Sequence, residues 1–150
     1  MGDEYRRSTD ELLKLLFQET SLDGFFQRED TSFMTTSFRE YITAWCKRRN
    51  EVPERVINRA NLEKSYGHQL FSGKRNPSRD TVIQLAFGFE ADLEQTQELL
   101  KAARKSPLYP RIKRDAAIIY CLYHRFSVVD AQIILHDLGL PILGGGRKYE

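Results

Sequence analysis

One punctuation mark recurs from near one end of this chain to near the other, and it leaves room for little but helices. A small polar residue able to accept from a helix N-terminus is followed three residues on by Glu, Gln or Asp, and then by apolar residues at helical spacing. Ser8 with Glu11, Ser37 with Glu40, Asp92 with Gln95 and Ser127 with Asp130 all fit it. A helix start leaves backbone N–H groups without partners, and such a pair satisfies two of them, so the pattern is a start signal with a mechanism. No stretch sustains several periods of strand-like alternation. The expected class is all-α.

The first box opens a Leu-rich helix over 9–19, with Leu12, Leu13, Leu15, Leu16 and Phe17. These are too dense for a lone solvated helix, so it is expected to dock on the body or on a partner chain. Residues 20–33 read as a linker loop carrying Phe25 and Phe26. The second box opens a helix over 37–49, with Phe38, Tyr41, Ile42 and Trp45 on one face and Cys46 beside them. It closes on Lys47, Arg48 and Arg49, cations where the helix dipole favours them, and Asn50 suits a left-handed turn beyond. Pro53 fits the first turn of the next helix, with Val56, Ile57 and Ala60 inward, and Asn61 is a second left-handed position. A short helix over 63–71 would turn Tyr66, Leu70 and Phe71 to the core. Ser78 or Asp80 starts a helix over 79–88 with Val82, Ile83, Leu85 and Ala86 buried and Phe89 after it, and 93–105 forms another.

Pro107 and Pro110 mark a boundary, since a helix interior rejects proline. Beyond it lie a helix over 111–124, with Ala116, Ile119, Tyr120 and Tyr123 on one face, and one over 128–138, with Ala131, Ile134, Leu135 and Leu138 inside. The expected division is an N-terminal helix and linker (1–33), a central domain (34–104), a C-terminal helical pair packed on the core or at a dimer interface (105–142), and a flexible tail (143–150).

Length and composition fit this. The 150 residues, 41% hydrophobic and 29% charged, supply one domain's core, and no apolar run approaches the ~18–20 residues of a membrane span. The start MGDEYRRSTDE is not read as a signal peptide, and Cys46 and Cys121 sit apart in apolar patterns as reduced thiols would, so a cytoplasmic chain is expected. The formal charge of +2 conceals a gradient. Residues 1–32 carry four basic and eight acidic side chains, net −4; residues 33–85 carry ten and five, net +5; residues 86–150 carry nine and eight, net +1. The middle third is the part that could face a polyanion.

That third holds the informative stretch, residues 52–77. Two short helices joined by a tight turn at Asn61 and Leu62 make a helix-turn-helix unit. The outer side of the second shows Lys64, Ser65, His68, Gln69 and Ser72, with Lys74 and Arg75 following. A helix fits the major groove, where Lys reaches guanine acceptors, Gln pairs with adenine and Ser takes either. Lys64, Ser65, Gln69 and His68 are therefore base-reading candidates, and Arg55, Arg59, Lys74, Arg75 and Arg79 are phosphate candidates.

The stretch ERVINRANLEKSYGHQLFSGKRNPSRDTVIQLAFGFEADLEQTQELL, above all SGKRNPSRDTVIQLA at 72–86, resembles the lambda-repressor-like helix-turn-helix family, the phage-repressor or xenobiotic-response-element class. The resemblance covers about residues 36–103. It implies a five-helix bundle with 54–60 as scaffold helix and 63–71 as recognition helix, extended here by an N-terminal helix and a C-terminal helical pair. It further implies a non-enzymatic, sequence-specific regulator of transcription that binds double-stranded DNA as a homodimer, with Lys64, Ser65 and Gln69 at the base-reading positions. The chain departs from that pattern in four places, the mildest being Asn61 where Gly usually fills the turn, since Asn tolerates left-handed dihedrals. Glu63 stands where Ser, Thr or Asp would cap the recognition helix and is expected to cap poorly. Gly67 replaces a core Ile or Val, at a cost in helix propensity and packing. Pro53 replaces a Gln that touches a phosphate.

The competing expectation is a helical protein-interaction module, adaptor or antitoxin-like, that reuses the same fold. Helix 9–19 or helices 111–138 would then meet a protein partner. His68, His124 and His136 share no metal-ligand spacing with each other or with the cysteines. The sequence has no Gly-rich phosphate loop and nothing that positions a nucleophile and base, so no metal, cofactor or enzymatic activity is expected.

Overall fold

A computed structural model describes residues 8–29 and 37–144, and the chain divides into two compact units, 1–36 and 37–150. All regular structure among the described residues is α-helical.

The N-terminal unit holds α1 (Thr9–Gln18) and α2 (Leu22–Arg28). Both halves of the Ser8–Glu11 box form at the start of α1, yet no residue of α1 is buried. Part of the stretch expected as a loop is α2 instead. The Ser21 side chain accepts from the Gly24 N–H at 3.1 Å, and an Arg28–Glu19 ion pair spans the turn between the helices. Seven residues carry too little periodicity to announce a helix from sequence. The rest of the expected linker, residues 30–33, lies outside the described residues.

The second unit contains α3 (Phe38–Arg48), α4 (Pro53–Arg59), α5 (Lys64–Ser72), α6 (Arg79–Gly88), α7 (Leu93–Ala102), α8 (Lys113–Tyr123) and α9 (Val128–Asp137). Its axis is α6, buried continuously from Thr81 to Gly88. Helices α4, α7 and α9 pack on α6, α5 lies on α3 and α4, and α8 joins α7 and α9. The expected capping boxes at Ser37 and Asp92 both close, whereas at Ser127 only the Asp130 N–H is bonded, at 3.1 Å, and no reciprocal bond from the Asp130 side chain forms.

One device makes most of the corners. Asn50, Asn61, Glu90, Arg104, Arg125 and Gly139 all have positive φ. After each, the next residue's N–H returns to a carbonyl five residues back: Glu51 to Cys46, Leu62 to Ile57, Ala91 to Ala86, Lys105 to Leu100, Phe126 to Cys121 and Leu140 to Leu135. This left-handed cap satisfies carbonyls that a helix end would leave open and reverses the chain in two residues.

Two glycines set how closely the helices approach. A Cβ on Gly67 would stand 2.4 Å from Ile57 Cγ2, and one on Gly88 would stand 2.4 Å from the Val56 carbonyl oxygen. Gly67 is therefore the residue that lets α5 lie down on α4. The packing loss expected at this position does not occur, because Ile57 fills the space that a larger residue would have taken.

The C-terminal pair belongs to the same core. Leu108, Ile118, Cys121, Leu122, Val128, Ala131, Leu135 and Leu143 are buried in one cluster with α3–α7. The inward face of α8 is Asp115, Ile118, Cys121 and Leu122, about one residue out of phase with the expected one, and Tyr120 and Tyr123 are exposed. Leu138, expected inside, is 63% exposed. Leu143 and Gly144, expected to belong to a flexible tail over 143–150, are held in place instead. Leu143 is buried with both backbone groups bonded to Gln132 at 2.7 and 2.8 Å, and the Gly144 N–H donates to Asp80 at 2.9 Å; the remainder, 145–150, lies outside the described residues. Residues 141–144 thus form a strap over the start of α6, and Arg114 ties it down with two bonds to Asp80 at 2.9 Å and bonds to the Pro141 and Ile142 carbonyls at 2.8 and 3.0 Å.

Candidate nucleic-acid interface

Helix α5 is seated by one side only. Gly67, Leu70 and Phe71 are buried, and Tyr66 is half-buried with its hydroxyl 3.2 Å from Thr81 Oγ1. The opposite side leaves Lys64, Ser65, His68 and Ser72 exposed and Gln69 half-exposed. The helix ends at Gly73, whose φ of 85° is left-handed, and the exposed Lys74 and Arg75 follow at once.

The helix start is not uncapped. Glu63 is the N-cap, and its carboxylate accepts from the Tyr66 N–H at 2.9 Å and the Ser65 N–H at 3.1 Å. A carboxylate here gains from the helix dipole and satisfies two orphan donors, which its low rank as a cap residue conceals. A fixed negative charge consequently stands at the start of α5. A second one, Glu54, lies 3.6 Å from Lys64 Nζ and 3.8 Å from His68 Nε2. The Lys64–Glu54 pair is solvent-exposed and worth at most ~1 kcal/mol, so a stronger anion displaces it readily.

At the far end of α5, Arg75 folds back on the helix. Its backbone N–H donates to the Gln69 carbonyl and its Nε to Gln69 Oε1, both at 3.2 Å. This bond fixes the amide orientation of one base-reading candidate through a phosphate candidate. Arg39 of α3 joins them. A Cβ on Gly73 would stand 2.6 Å from Arg39 Cδ, so the Arg39 stem lies across the turn. Sequence reasoning passed over Arg39, since nothing local links it to a turn 34 residues away.

The expected phosphate set divides. Arg55, Lys74 and Arg75 are exposed. Arg59 and Arg79 are turned inward. Arg59 Nε donates to the Gly88 carbonyl at 2.8 Å and its Nη2 pairs with Glu51, stapling α4 to the end of α6. Arg79 is committed to Asp115 and to the Ser106 and Pro107 carbonyls. Both arginines act as internal braces, because an arginine fork fits carboxylates and carbonyls as well as it fits phosphate.

Away from this face, a cleft of about 460 Å³ opens between Asn58 and Asn61 at the α4–α5 turn, Phe87 and Glu90 at the end of α6, and Arg125 and Val128 at the α8–α9 turn. Cys46 and Cys121 are free and buried, and burial pushes both thiols above their ordinary pKa, which makes them poor nucleophiles. No group of His, Cys, Asp and Glu among the described residues is arranged to hold a metal ion, and no helix among them is long and apolar enough to cross a membrane. In comparisons with known proteins, no family model, curated protein or solved structure matches the chain.

Proposed function

We propose that the chain is a non-enzymatic, sequence-specific double-stranded DNA-binding regulator of transcription. Helices α4 and α5 form its helix-turn-helix, and α5 lies in the major groove. The observation that carries this reading is the one-sided seating of α5. Gly67 lets the helix sink onto Ile57 while a row of hydrogen-bonding side chains stays outside. Lys64, Ser65, His68 and Gln69 are the base readers, and Arg55, Lys74, Arg75 and Arg39 meet phosphates on either side. Two copies are needed to set two α5 helices about 34 Å apart on a palindromic site. The exposed Val129 and Ile133 of α9, with Leu138 just beyond its end, are the apolar surface this reading uses for pairing.

The test is selection of bound fragments from genomic DNA with the purified chain, followed by affinity measurement over a salt series. Binding in the nanomolar-to-micromolar range is expected, weakening steeply with salt as phosphate contacts release counterions. Lys64→Ala and Gln69→Ala relax sequence preference, whereas Lys74→Glu/Arg75→Glu weakens every duplex. Unchanged binding in the charge-reversed variant defeats the proposal.

A second reading, a protein-interaction module, is favoured by α1. This amphipathic helix buries none of its residues and leaves Phe17 77% exposed. It predicts a stoichiometric protein partner that is lost on Leu16→Asp/Phe17→Asp, with no salt-sensitive DNA binding.

A further inference from the structure

Arg79 opens α6 four residues after Arg75, and its guanidinium holds another part of the chain. Nε donates to the Ser106 carbonyl at 3.0 Å and Nη2 to the Pro107 carbonyl at 2.8 Å. Nη1 and Nη2 also reach the two oxygens of the Asp115 carboxylate, at 3.2 and 2.9 Å. Asp115 is only 2% exposed, and it accepts the Tyr109 backbone N–H at 2.9 Å. Gln97 pins Leu108 through both of its backbone groups, at 2.9 and 2.8 Å. A single arginine thus closes both ends of the segment 107–115, which runs into the first turn of α8, against the first turn of α6, making a compact closed loop.

Outward, the loop shows Tyr109, Pro110, Arg111, Ile112 and Lys113, all exposed. Arg111 and Lys113 make no side-chain hydrogen bond or ion pair among the described residues. Solubility alone needs two cations somewhere on the surface, and it does not need them on a loop braced by a buried carboxylate and a five-donor fork. Arg111 is four residues from either end of the closed loop, as Arg75 is from Arg79. At most about 14 Å of chain therefore separates each from the same brace.

We propose that the loop 107–115 is a second phosphate-contacting element, in which Arg111 and Lys113 extend along the duplex the contact made by Lys74 and Arg75. Arg79 is its positioning residue and itself touches no DNA. This rests on the DNA-binding reading of α5 and adds an element that the helix-turn-helix stretch does not contain.

The experiment is fluorescence anisotropy on a labelled duplex drawn from the fragments the wild-type chain selects, over a KCl series. In Arg111→Ala/Lys113→Ala, the slope of log K against log salt becomes shallower by about 1.8, the value for two lost contacts. Binding near 0.1 M salt falls roughly tenfold or more, equally for selected and unselected duplexes. Arg125→Ala, which removes a cation from the α8–α9 turn, leaves the slope unchanged and so separates contact from net charge. Arg79→Gln reproduces the shallower slope, and combining it with the double substitution adds little, as expected if Arg79 acts only through the loop. A wild-type chain that binds steeply while the double variant keeps its slope overturns the loop's role and leaves the reading of α5 standing. A wild-type chain that binds no duplex overturns both.

Discussion

Helices α1 and α6 are each ten residues long, and they are opposites. The first has the stronger local grammar: a complete capping box, acidic residues in its first turn and a clear apolar stripe. It buries nothing. The second has a simple Ser78 cap and little one-sidedness, yet from Thr81 to Gly88 it is sealed from water. Its polar side chains are all accounted for. Thr81 Oγ1 lies 3.0 Å from Ser78 Oγ and 3.2 Å from the Tyr66 hydroxyl, and Gln84 donates to the Ala60 carbonyl at 3.2 Å. Local signals decide whether a helix starts, and the company it keeps decides what it stabilises. A helix covered on all sides loses the stripe by which amphipathic helices are recognised.

The contrast can be broken by substitution, and the largest effect belongs to α6. Leu85→Ala is expected to cost about 2–5 kcal/mol in chemical denaturation, as deletion at a fully buried site does. Gly88→Ala follows at about 1–3 kcal/mol, because the added methyl meets the Val56 backbone oxygen, which has no rotamer by which to move away.

Next comes the strap over the α6 start, probed by pH. Burial alone would raise the Asp80 carboxyl, but the Arg114 fork, the Gly144 N–H and the charge of Arg79 outweigh it and hold the group below the ordinary carboxylate range. The folded-state value is the lower one, so this stabilisation is complete above the unfolded carboxylate value of about 3.9 and is lost as pH falls from there through the folded value. The stability difference between the wild type and Asp80→Asn should therefore be full at neutral pH and shrink below about pH 4. A difference that stays constant across that range would remove the ion pair from the account. The smallest effect is expected in α1, where Leu16→Ala should change stability by less than about 0.5 kcal/mol. A loss near that of Leu85→Ala would mean that α1 is covered in solution.

Much of this was legible beforehand, and the reason can be given residue by residue. The caps at Ser8, Ser37, Asp92 and Ser127 and the left-handed turns at Asn50 and Asn61 involve contacts within about five residues, so the letters nearly suffice. Helix α2 does not announce itself, because a seven-residue segment offers under two turns of pattern. Tyr120 and Tyr123 share a face with Ala116 and Ile119 in the sequence pattern yet lie exposed, because a run such as AAIIYCLY is apolar on several faces and a shift of one residue rotates the helix by about 100°. In the candidate site, the outward set on α5 could be read from the spacing of Tyr66 and Leu70. The duties of the arginines could not. Arg55, Arg59, Lys74, Arg75 and Arg79 look alike in sequence, and only partners dozens of residues away, such as Gly88 for Arg59 and Asp115 for Arg79, separate a brace from an exposed cation.

By itself the sequence determined that the chain is helical, where most helices begin and turn, and that its basic excess lies in the middle third. Those properties arise from short-range hydrogen bonding, from backbone dihedrals and from counting charges. The tertiary structure decided which apolar faces are covered, that Gly67 and Gly88 are points of closest approach, that Glu63 caps α5, and which cations remain on the surface. These are properties of pairs of residues far apart in the chain. The free energy of such a pair depends on distance and burial, which no single stretch of sequence encodes.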